Sequence, residues 1–403
     1  MKQDTSSSII VAGSGPAGLI AALALARAGF SVTLVGPDIV ASDHRTTALM
    51  APALDYLGSL GLADHINRNG APLAVMRIVD ATKRLVRSPV VTFRAAEIGE
   101  PYFGLNLTNR DLNAALQSAV EDEPAIDWRK ALVKEWDLTS ASARAILSDG
   151  TAVEASLAVA ADGRLSPARK AAGIPVSGQV LSQSALVLTF THTRPHGDIS
   201  TEFHTETGPF TQVPLKGERS SLVWVLRPKQ ATDLSKMENA ALSRLVEDRM
   251  QSMLGRIEIE PNRQVYPLTA STPLKFALNR VALVGEAAHI FPPIGAQGLN
   301  LGVRDVSDLA QVAMDHKHDP GSHSALSAYD ARRRPDILAR SAAVNLLNRS
   351  LLSDMLPAQL ARSAGLSALG ALPPLRALFM REGLHPGSGL SALAAGLREQ
   401  IRR

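Results

Sequence analysis

Ile9-Ile10-Val11-Ala12-Gly13-Ser14-Gly15-Pro16-Ala17-Gly18 is an apolar run that ends in a G-x-G-x-x-G turn. The run is short and rich in β-branched residues, which predicts a buried parallel strand. Gly13 permits the tight turn, Gly15 lets backbone approach a pyrophosphate, and Gly18 lets the next helix pack on the strand. That helix is expected over residues 16–28, rich in Ala and Leu, with Gly29 ending it. Its N-terminal N–H groups and dipole favour phosphate charge. Residues 31–35 then read as a second parallel strand, which completes a βαβ unit. An acidic residue is expected at the end of that strand, on a ribose. Gly36 and Pro37 stand there, followed by Asp38. Either Asp38 reaches the ribose or that contact is missing.

Far downstream, Val281-Ala282-Leu283-Val284-Gly285-Glu286-Ala287-Ala288-His289 is a second apolar strand with an acidic residue just past its end. It runs on into Pro292-Pro293-Ile294-Gly295-Ala296-Gln297-Gly298-Leu299-Asn300. Between the two, residues 157–161 read as another buried strand, ending at Asp162-Gly163. The first stretch points to a dinucleotide. The pair points to FAD held along its length.

The chain has 403 residues, which favours two domains over one. It is 45% hydrophobic and 20% charged, an ordinary globular balance. The net charge is +4, with basic and acidic residues interspersed, which argues against nucleic-acid binding and leaves room for attraction to an anionic membrane surface. With no cysteine, there is no disulfide, iron–sulfur cluster or thiolate chemistry. The His316-Lys317-His318 stretch lies in a polar loop without a fourth ligand, so no metal is expected. Residues 1–8 form a polar lead unlike a signal or transit peptide. No run of about 18 apolar residues is present to span a membrane.

Elsewhere, residues 46–60 read as a helix ending at Gly61, residues 75–93 as an antiparallel strand pair, and residues 109–121 as a helix. Residues 128–136, 144–148 and 152–154 suggest a meander turning at Asp149-Gly150. Residues 185–191, 199–204, 210–214 and 221–226 read as strands of an antiparallel sheet, and residues 235–254 as one amphipathic helix. The chain returns to the nucleotide half at Arg280. From residue 341 a helical tail is broken by Pro357, Pro373, Pro374 and Pro386. The expected fold is α/β: a Rossmann-like FAD-binding domain, an inserted antiparallel β-sheet substrate domain and a helical C-terminal tail. The FAD domain is discontinuous over residues 1–75, 101–175 and 275–345. The substrate domain takes residues 76–100 and 176–274, and the tail residues 346–403.

With these motifs assembled, the chain resembles the class A flavoprotein monooxygenases of the para-hydroxybenzoate hydroxylase type, and within them the ubiquinone-biosynthesis hydroxylases. The second motif of that family matches Ala161-Asp162-Gly163-Arg164-Leu165-Ser166-Pro167-Ala168-Arg169, and the third matches the segment from Gly285 to Asp305. Tyr329-Asp330-Ala331-Arg332-Arg333-Arg334-Pro335-Asp336 points to the ubiquinone branch. The resemblance implies that Gly13, Gly15, Ala17 and Gly18 hold the pyrophosphate. It places Arg45 along the FAD, Arg110 on a polar FAD contact, and Asp162 between the FAD phosphate and a nicotinamide cofactor. Glu286, where the family usually has Asp, would contact the other ribose. Pro293, Gly295, Gly298, Leu299 and Asn300 would face the isoalloxazine, with Pro293 and Gly295 positioning the ring. A helix starting near Leu299 would stabilise charge on reduced flavin.

The implied activity is an FAD-dependent aromatic-ring monooxygenase acting through a flavin C4a-hydroperoxide, with the chemistry borne by the flavin and no catalytic side chain required. The implied substrate is a polyprenylated phenol of ubiquinone biosynthesis, and the electron donor NAD(P)H or a reductase partner. The alternatives are a soluble hydroxylase of a small phenol or aromatic acid, and an inactive flavin-binding scaffold subunit of a biosynthetic complex. His289 reads as a packing or positioning residue, and residues 332–334 as a solvated or domain-bridging helix face. Trp224 and Tyr266 line either the substrate cavity or the core. Leu390, Leu393, Leu397 and Ile401 form a helical stripe beside Arg398, Arg402 and Arg403. More apolar surface is expected upstream from Leu346, Leu347, Leu351, Leu352, Met355 and Leu356. The expected location is cytoplasmic, and the stripe either makes peripheral contact with the inner membrane or packs on the flavin domain.

Overall fold

The computed structural model describes residues 8–39, 43, 45–84, 86–292, 297–352 and 356–384. His44, Pro293, Gly295 and the stripe from Leu390 to Ile401 lie outside them, as do the side chains of Leu346, Leu347, Leu351 and Leu352.

The Ser8–Ala12 strand is the middle of a six-stranded sheet. Its parallel neighbours are Ser31–Val35 on one side and Leu157–Ala160 on the other. Leu157–Ala160 pairs in parallel with Val281–Leu283, so segments far apart in sequence end side by side. Ile9, Ile10, Val11 and the whole of Leu157–Ala160 are buried, as strands covered on both faces should be. The helices Pro16–Arg27, Asn109–Glu121 and Gln297–Asp315 complete this core. The Ala-rich face of Pro16–Arg27 is buried almost throughout, which lets the helix lie close to the sheet.

A second, eight-stranded sheet contains Val176–His192, Arg219–Leu226, Gly208–Leu215, Ile199–Thr205, Val75–Asp80 and Val91–Arg94 in that order, with Ile257–Ile259 and Gln264–Pro273 also paired to Val176–His192. Alternate residues separate its two faces. Leu186, Leu188, Phe190, Phe210, Leu222 and Trp224 pack under the helices Pro228–Ser235 and Asn239–Arg249. The opposite face carries Ala185, Val187, Val223, Val225, Leu268 and Tyr266. Two further three-stranded sheets flank the core: Val133–Leu138, Ala143–Leu147 and Ala152–Ala155, and Thr46–Met50, Gly104–Thr108 and Ala71–Pro72.

Several elements differ from the sequence expectations. The large sheet is mixed, because Ile199–Thr205 runs parallel to Val75–Asp80. Those strands are joined through the nucleotide half, a connection long enough to free them from hairpin geometry. Residues 46–60 form not one helix but the Thr46–Met50 strand followed by the Ala51–Ser59 helix. Pro52 is the cause, since it suits a first helical turn and blocks extension further back. Trp128 belongs to Ile126–Arg129, the edge of the parallel sheet, and not to the meander. The helix expected over 235–254 is shorter, Asn239–Arg249, and follows a separate helix, Pro228–Ser235; Glu238 caps it by accepting from Ala241 N–H at 3.0 Å. In the tail, Leu356–Ala371 and Pro373–Leu384 pack on the sheet edge, where Met380 and Leu384 meet Val91, Phe93 and Phe103. Pro373 and Pro374 open the last helix instead of interrupting one.

Candidate functional site

The glycine turn is shaped by what each glycine lacks. A Cβ on Gly13, whose φ is +108°, would sit 2.2 Å from the Ala161 carbonyl oxygen. One on Gly18 would meet the Gly13 carbonyl oxygen at 1.8 Å. Both glycines are therefore required by packing. Gly15 differs: a Cβ there would have nothing within 4 Å. It faces open space at the N-terminus of Pro16–Arg27, where an anion would be received by helix N–H groups.

The missing acid after the second strand has a steric cause. A Cβ at Gly36 would lie 2.6 Å from Ser14 Oγ and 2.7 Å from Ser14 N. Ser14 Oγ itself donates to the Pro37 carbonyl. Asp38 lies just beyond, largely exposed and ion-paired with Lys130, whose ammonium stands 3.1 Å from the Trp128 ring centroid.

Asp162 follows the Leu157–Ala160 strand, and its Oδ2 accepts from Ala168 N–H at 3.0 Å. Its Oδ1 is buried with no hydrogen-bond partner among the described residues, and burial pushes the carboxyl above its ordinary range. A buried acceptor left unpaired costs about 1–3 kcal/mol, so a ligand hydroxyl or N–H is what this oxygen lacks. Arg169, buried, ties this motif to the third, donating to the carbonyls of Ala287 and Arg164 at 2.8 Å each.

In the third motif Gly285 has φ +60°, and a Cβ on it would come 2.8 Å from the Ala17 Cβ. Small residues at 17 and 285 thus let the first and third motifs touch. Glu286 is half-exposed, with Arg164 Nε 3.6 Å away. His289 is buried, as a packing role requires, with its Nε2 2.7 Å from Asp305 Oδ2. The same Oδ2 accepts from Gly285 N–H at 3.0 Å, and Arg333 Nε donates to Asp305 Oδ1 at 2.9 Å. Arg333 also reaches Asp308 and Asp336 at 2.9 and 3.1 Å. Only Arg332 and Arg334 of the arginine run are substantially exposed; Arg333 is buried, because the Gln297–Asp315 helix offers it carboxylates.

Arg45 is held by Asp43, with Nε and Nη2 at 2.8 and 2.7 Å from its two oxygens, and Asn109 Nδ2 donates to Asp43 at 2.9 Å. Burial raises the Asp43 carboxyl, but the bonds from Arg45 and Asn109 outweigh it and hold the group below the usual carboxylate range. The Arg45 guanidinium lies 5.3 Å from the Tyr266 ring centroid. Tyr266 therefore stands at the junction of the two halves, whereas Trp224 is core. Asn300 uses both ends of its amide on the Thr46–Met50 strand, accepting from Met50 N–H at 2.8 Å and donating to the Ala48 carbonyl at 2.7 Å. Gly298 is open to solvent with no atom within 4 Å of an added Cβ, and Leu299 packs on the nucleotide core. Arg110 points outward, 3.9 Å from Asp111.

Gly13, Gly15, Ala17, Gly18, Asp162 and the Gly285 turn thus come together at one end of the parallel strands, and Asn300 fastens the Thr46–Met50 strand that follows Arg45. Asp38 and Arg110 are not drawn into that arrangement. Asp43, Asn109 and Arg169 were not found by sequence reasoning. The contacts of Asp43 with Asn109 and of Arg169 with Ala287 join segments far apart along the chain, and no local spacing marks them. The open space before Gly15, the helix N-terminus and the orphan Asp162 oxygen together fit a ligand with both phosphates and hydroxyls, as FAD has.

Comparison with known proteins agrees with the geometry. Residues 6–341 match the family described as FAD binding domain. Ubiquinone hydroxylase UbiL of Rhodospirillum rubrum is 33% identical over 94% of this chain and 90% of its own length. The 3-demethoxyubiquinol 3-hydroxylase of Escherichia coli is 30% identical, over 89% of this chain and 94% of its own. Among solved structures, p-nitrophenol 4-monooxygenase PnpA of Pseudomonas putida superposes with a TM-score of 0.77 at 22% identity, covering 96% of this chain and 98% of that one.

Proposed function

The chain belongs to the FAD binding domain family and is an FAD-dependent aromatic-ring monooxygenase, and from that premise we propose that it hydroxylates a polyprenylated phenol in ubiquinone biosynthesis. The observation that carries the substrate class is the face of the large sheet that meets Arg45 through Tyr266. Ala185, Val187, Val223, Val225 and Leu268 make it aliphatic, and Tyr266 adds one phenol at its border. A prenyl chain suits such a wall better than a small aromatic acid does, since an acid needs a fixed cation beside its carboxylate.

Bound FAD supplies the redox chemistry that activates dioxygen. The chain's own residues do the rest. Gly15 and the helix behind it would receive the pyrophosphate, Asp162 and Glu286 would accept from FAD hydroxyls, and Arg45 would contact the cofactor. Thr46 Oγ1 and Ser221 Oγ, 2.9 Å apart, link the Thr46–Met50 strand with the large sheet. That link would help to hold the substrate against bound FAD in a fixed geometry. On this reading residues 1–75, 101–175 and 275–345 form the FAD domain and residues 76–100 and 176–274 the substrate domain. The electron donor is NAD(P)H or a reductase partner. No helix among the described residues is long and apolar enough to cross a membrane, so contact with a bilayer-resident substrate is peripheral on this reading.

The test is turnover. Purified protein loaded with FAD and given a prenylated phenol, O2 and NAD(P)H or a reductase is expected to yield a product one oxygen atom heavier. FAD uptake with no turnover of any phenol would favour the inactive scaffold. Turnover confined to unprenylated phenols would favour the small-substrate hydroxylase.

A further inference from the structure

Arg45 is held from both halves of the molecule. On the nucleotide side, Asp43 takes its Nε and Nη2 at 2.8 and 2.7 Å. Asn109 braces that pair twice, its Nδ2 donating to Asp43 and its backbone N–H to the Arg45 carbonyl, each at 2.9 Å. From the large sheet, the Tyr266 ring presents its face to the guanidinium, with 5.3 Å to the ring centroid. That is within the range of a cation–π contact. The next residue makes the same crossing, with Thr46 Oγ1 2.9 Å from Ser221 Oγ. The Asp43 hydrogen bonds raise the Arg45 guanidinium above its ordinary value, and the charge of Glu286 adds to the rise. Glu286 of the third motif is therefore within electrostatic reach of the same side chain.

The strand that carries Tyr266 explains its placement. Gln264–Pro273 pairs with Val176–His192, and the register slips between Val180 and Ser184, beside Tyr266. A bulge of this kind bends and twists a strand and re-aims the side chains next to it. Tyr266 and Gln264 lie two apart and so share a face. The Tyr266 hydroxyl donates to the Gln264 side-chain oxygen, which fixes the ring from its far end. The ring also packs with the Ala185, Val187, Val225 and Leu268 cluster. Its hydroxyl is thus engaged within the sheet, and the aromatic face is what Arg45 meets.

We propose that Tyr266 is a positioning residue for the cofactor site: its ring face holds the Arg45 guanidinium for FAD, so that the grip on the cofactor is complete only with the large sheet docked on the nucleotide half. The assignment rests on the reading above in which Arg45 contacts FAD. An arginine side chain loses several rotors when it binds a ligand, and a contact that removes that freedom beforehand strengthens binding. Asp43 and Asn109 belong to the same half as Arg45 and fix the fork there. Tyr266 belongs to the other sheet and sets where the fork stands relative to it.

The test is the FAD dissociation constant of the full chain and its variants, measured by flavin fluorescence. Tyr266→Leu is expected to raise it roughly two- to thirtyfold, the size of a cation–π contact. Tyr266→Phe keeps the ring face and should stay within about twofold of the wild type. A trifluorinated phenylalanine at the same position has nearly the same shape but a weakened quadrupole, and should bind FAD less tightly than Tyr266→Phe does. Arg45→Gln should itself weaken FAD binding, and adding Tyr266→Leu to it should cost nothing further, because the two act through one contact. Wild-type affinity in Tyr266→Leu, or independent losses in the double variant, overturns the assignment. Should Tyr266→Leu not fold, equal affinity of the fluorinated and plain phenylalanine variants does so. If Arg45→Gln binds FAD as the wild type does, the Arg45 contact falls and this assignment with it.

Discussion

Gly15 contributes to the site by leaving space, and a side chain there has a clear consequence. Gly15→Val meets no protein atom, so the fold should survive while the pyrophosphate position is filled. The expected outcome is a stable, colourless protein, checked by flavin absorbance and circular dichroism together. Gly36→Asp tests the opposite case. It restores the acid that such strands commonly carry, yet its Cβ would press on Ser14. Destabilisation of about 1–3 kcal/mol is expected from overpacking, read as a lower denaturation midpoint, with no gain in FAD affinity. Glu286→Ala should weaken FAD binding by roughly 1.5–3 kcal/mol, the size of a charge-assisted hydrogen bond, while Glu286→Asp should be tolerated. Unchanged affinity in the alanine variant would make Glu286 a helix-end charge paired with Arg164 and nothing more.

Between elements, the seam of Gln297–Asp315 with His323–Leu352 depends on a buried charge network. Asp305 is fully buried between His289, Arg333 and the Gly285 N–H. Arg333→Leu would strand that carboxylate, and a loss of about 3–5 kcal/mol is expected in chemical denaturation. The double variant Arg333→Leu with Asp305→Asn should lose less, because no buried charge remains unpaired. Asp336 adds a pH dependence to the same seam. Burial raises its carboxyl, but Arg340, Arg304 and Arg333 outweigh that and hold it below the ordinary value. A depressed folded value means its stabilisation is present above about pH 4, the unfolded range, and fades as pH falls through the lower folded value. Acid denaturation of Asp336→Asn should accordingly be shallower than that of the wild type. The network was only partly legible beforehand. His289 read as a packing or positioning residue, and it is buried against Asp305. Arg333 read with its neighbours as a solvated or domain-bridging face, because a run of arginines gives no sign of which member turns toward another helix.

For the whole molecule, FAD binding and the proposed membrane contact are tested separately. Ligand that binds only the folded state at a hundred times its Kd stabilises by about 2.7 kcal/mol, so added FAD should raise Tm by several degrees. The last two described helices keep Leu356, Leu360, Leu372 and Phe379 exposed while burying Met380 and Leu384 against the sheet edge. A chain ending at His385 retains those helices and loses the stripe from Leu390 to Ile401. Full-length protein is expected to float with anionic liposomes and the shortened chain to float less. Equal flotation of both would move the contact to the exposed leucines of Leu356–Ala371 and Pro373–Leu384, and flotation of neither would remove the membrane from the account.

By itself the sequence determined the nucleotide half. Apolar strands, glycine turns and an Ala-rich helix are local patterns, and each constrains backbone within a few residues of itself. It also determined that residues near 10, 160 and 283 belong together, because three such motifs share one ligand. Only the tertiary structure decided what meets across the chain: Asp43 with Asn109, Arg169 with Ala287, Arg333 with Asp305, and Arg45 with Tyr266. These contacts join segments whose separation is set by sheet order and register, and a period-2 or period-3.6 pattern carries no information about which distant element supplies the partner. The Gly36 position shows both at once. Its departure from the usual acid was visible in the sequence, but the reason, a Ser14 side chain filling the space, exists only in the folded chain.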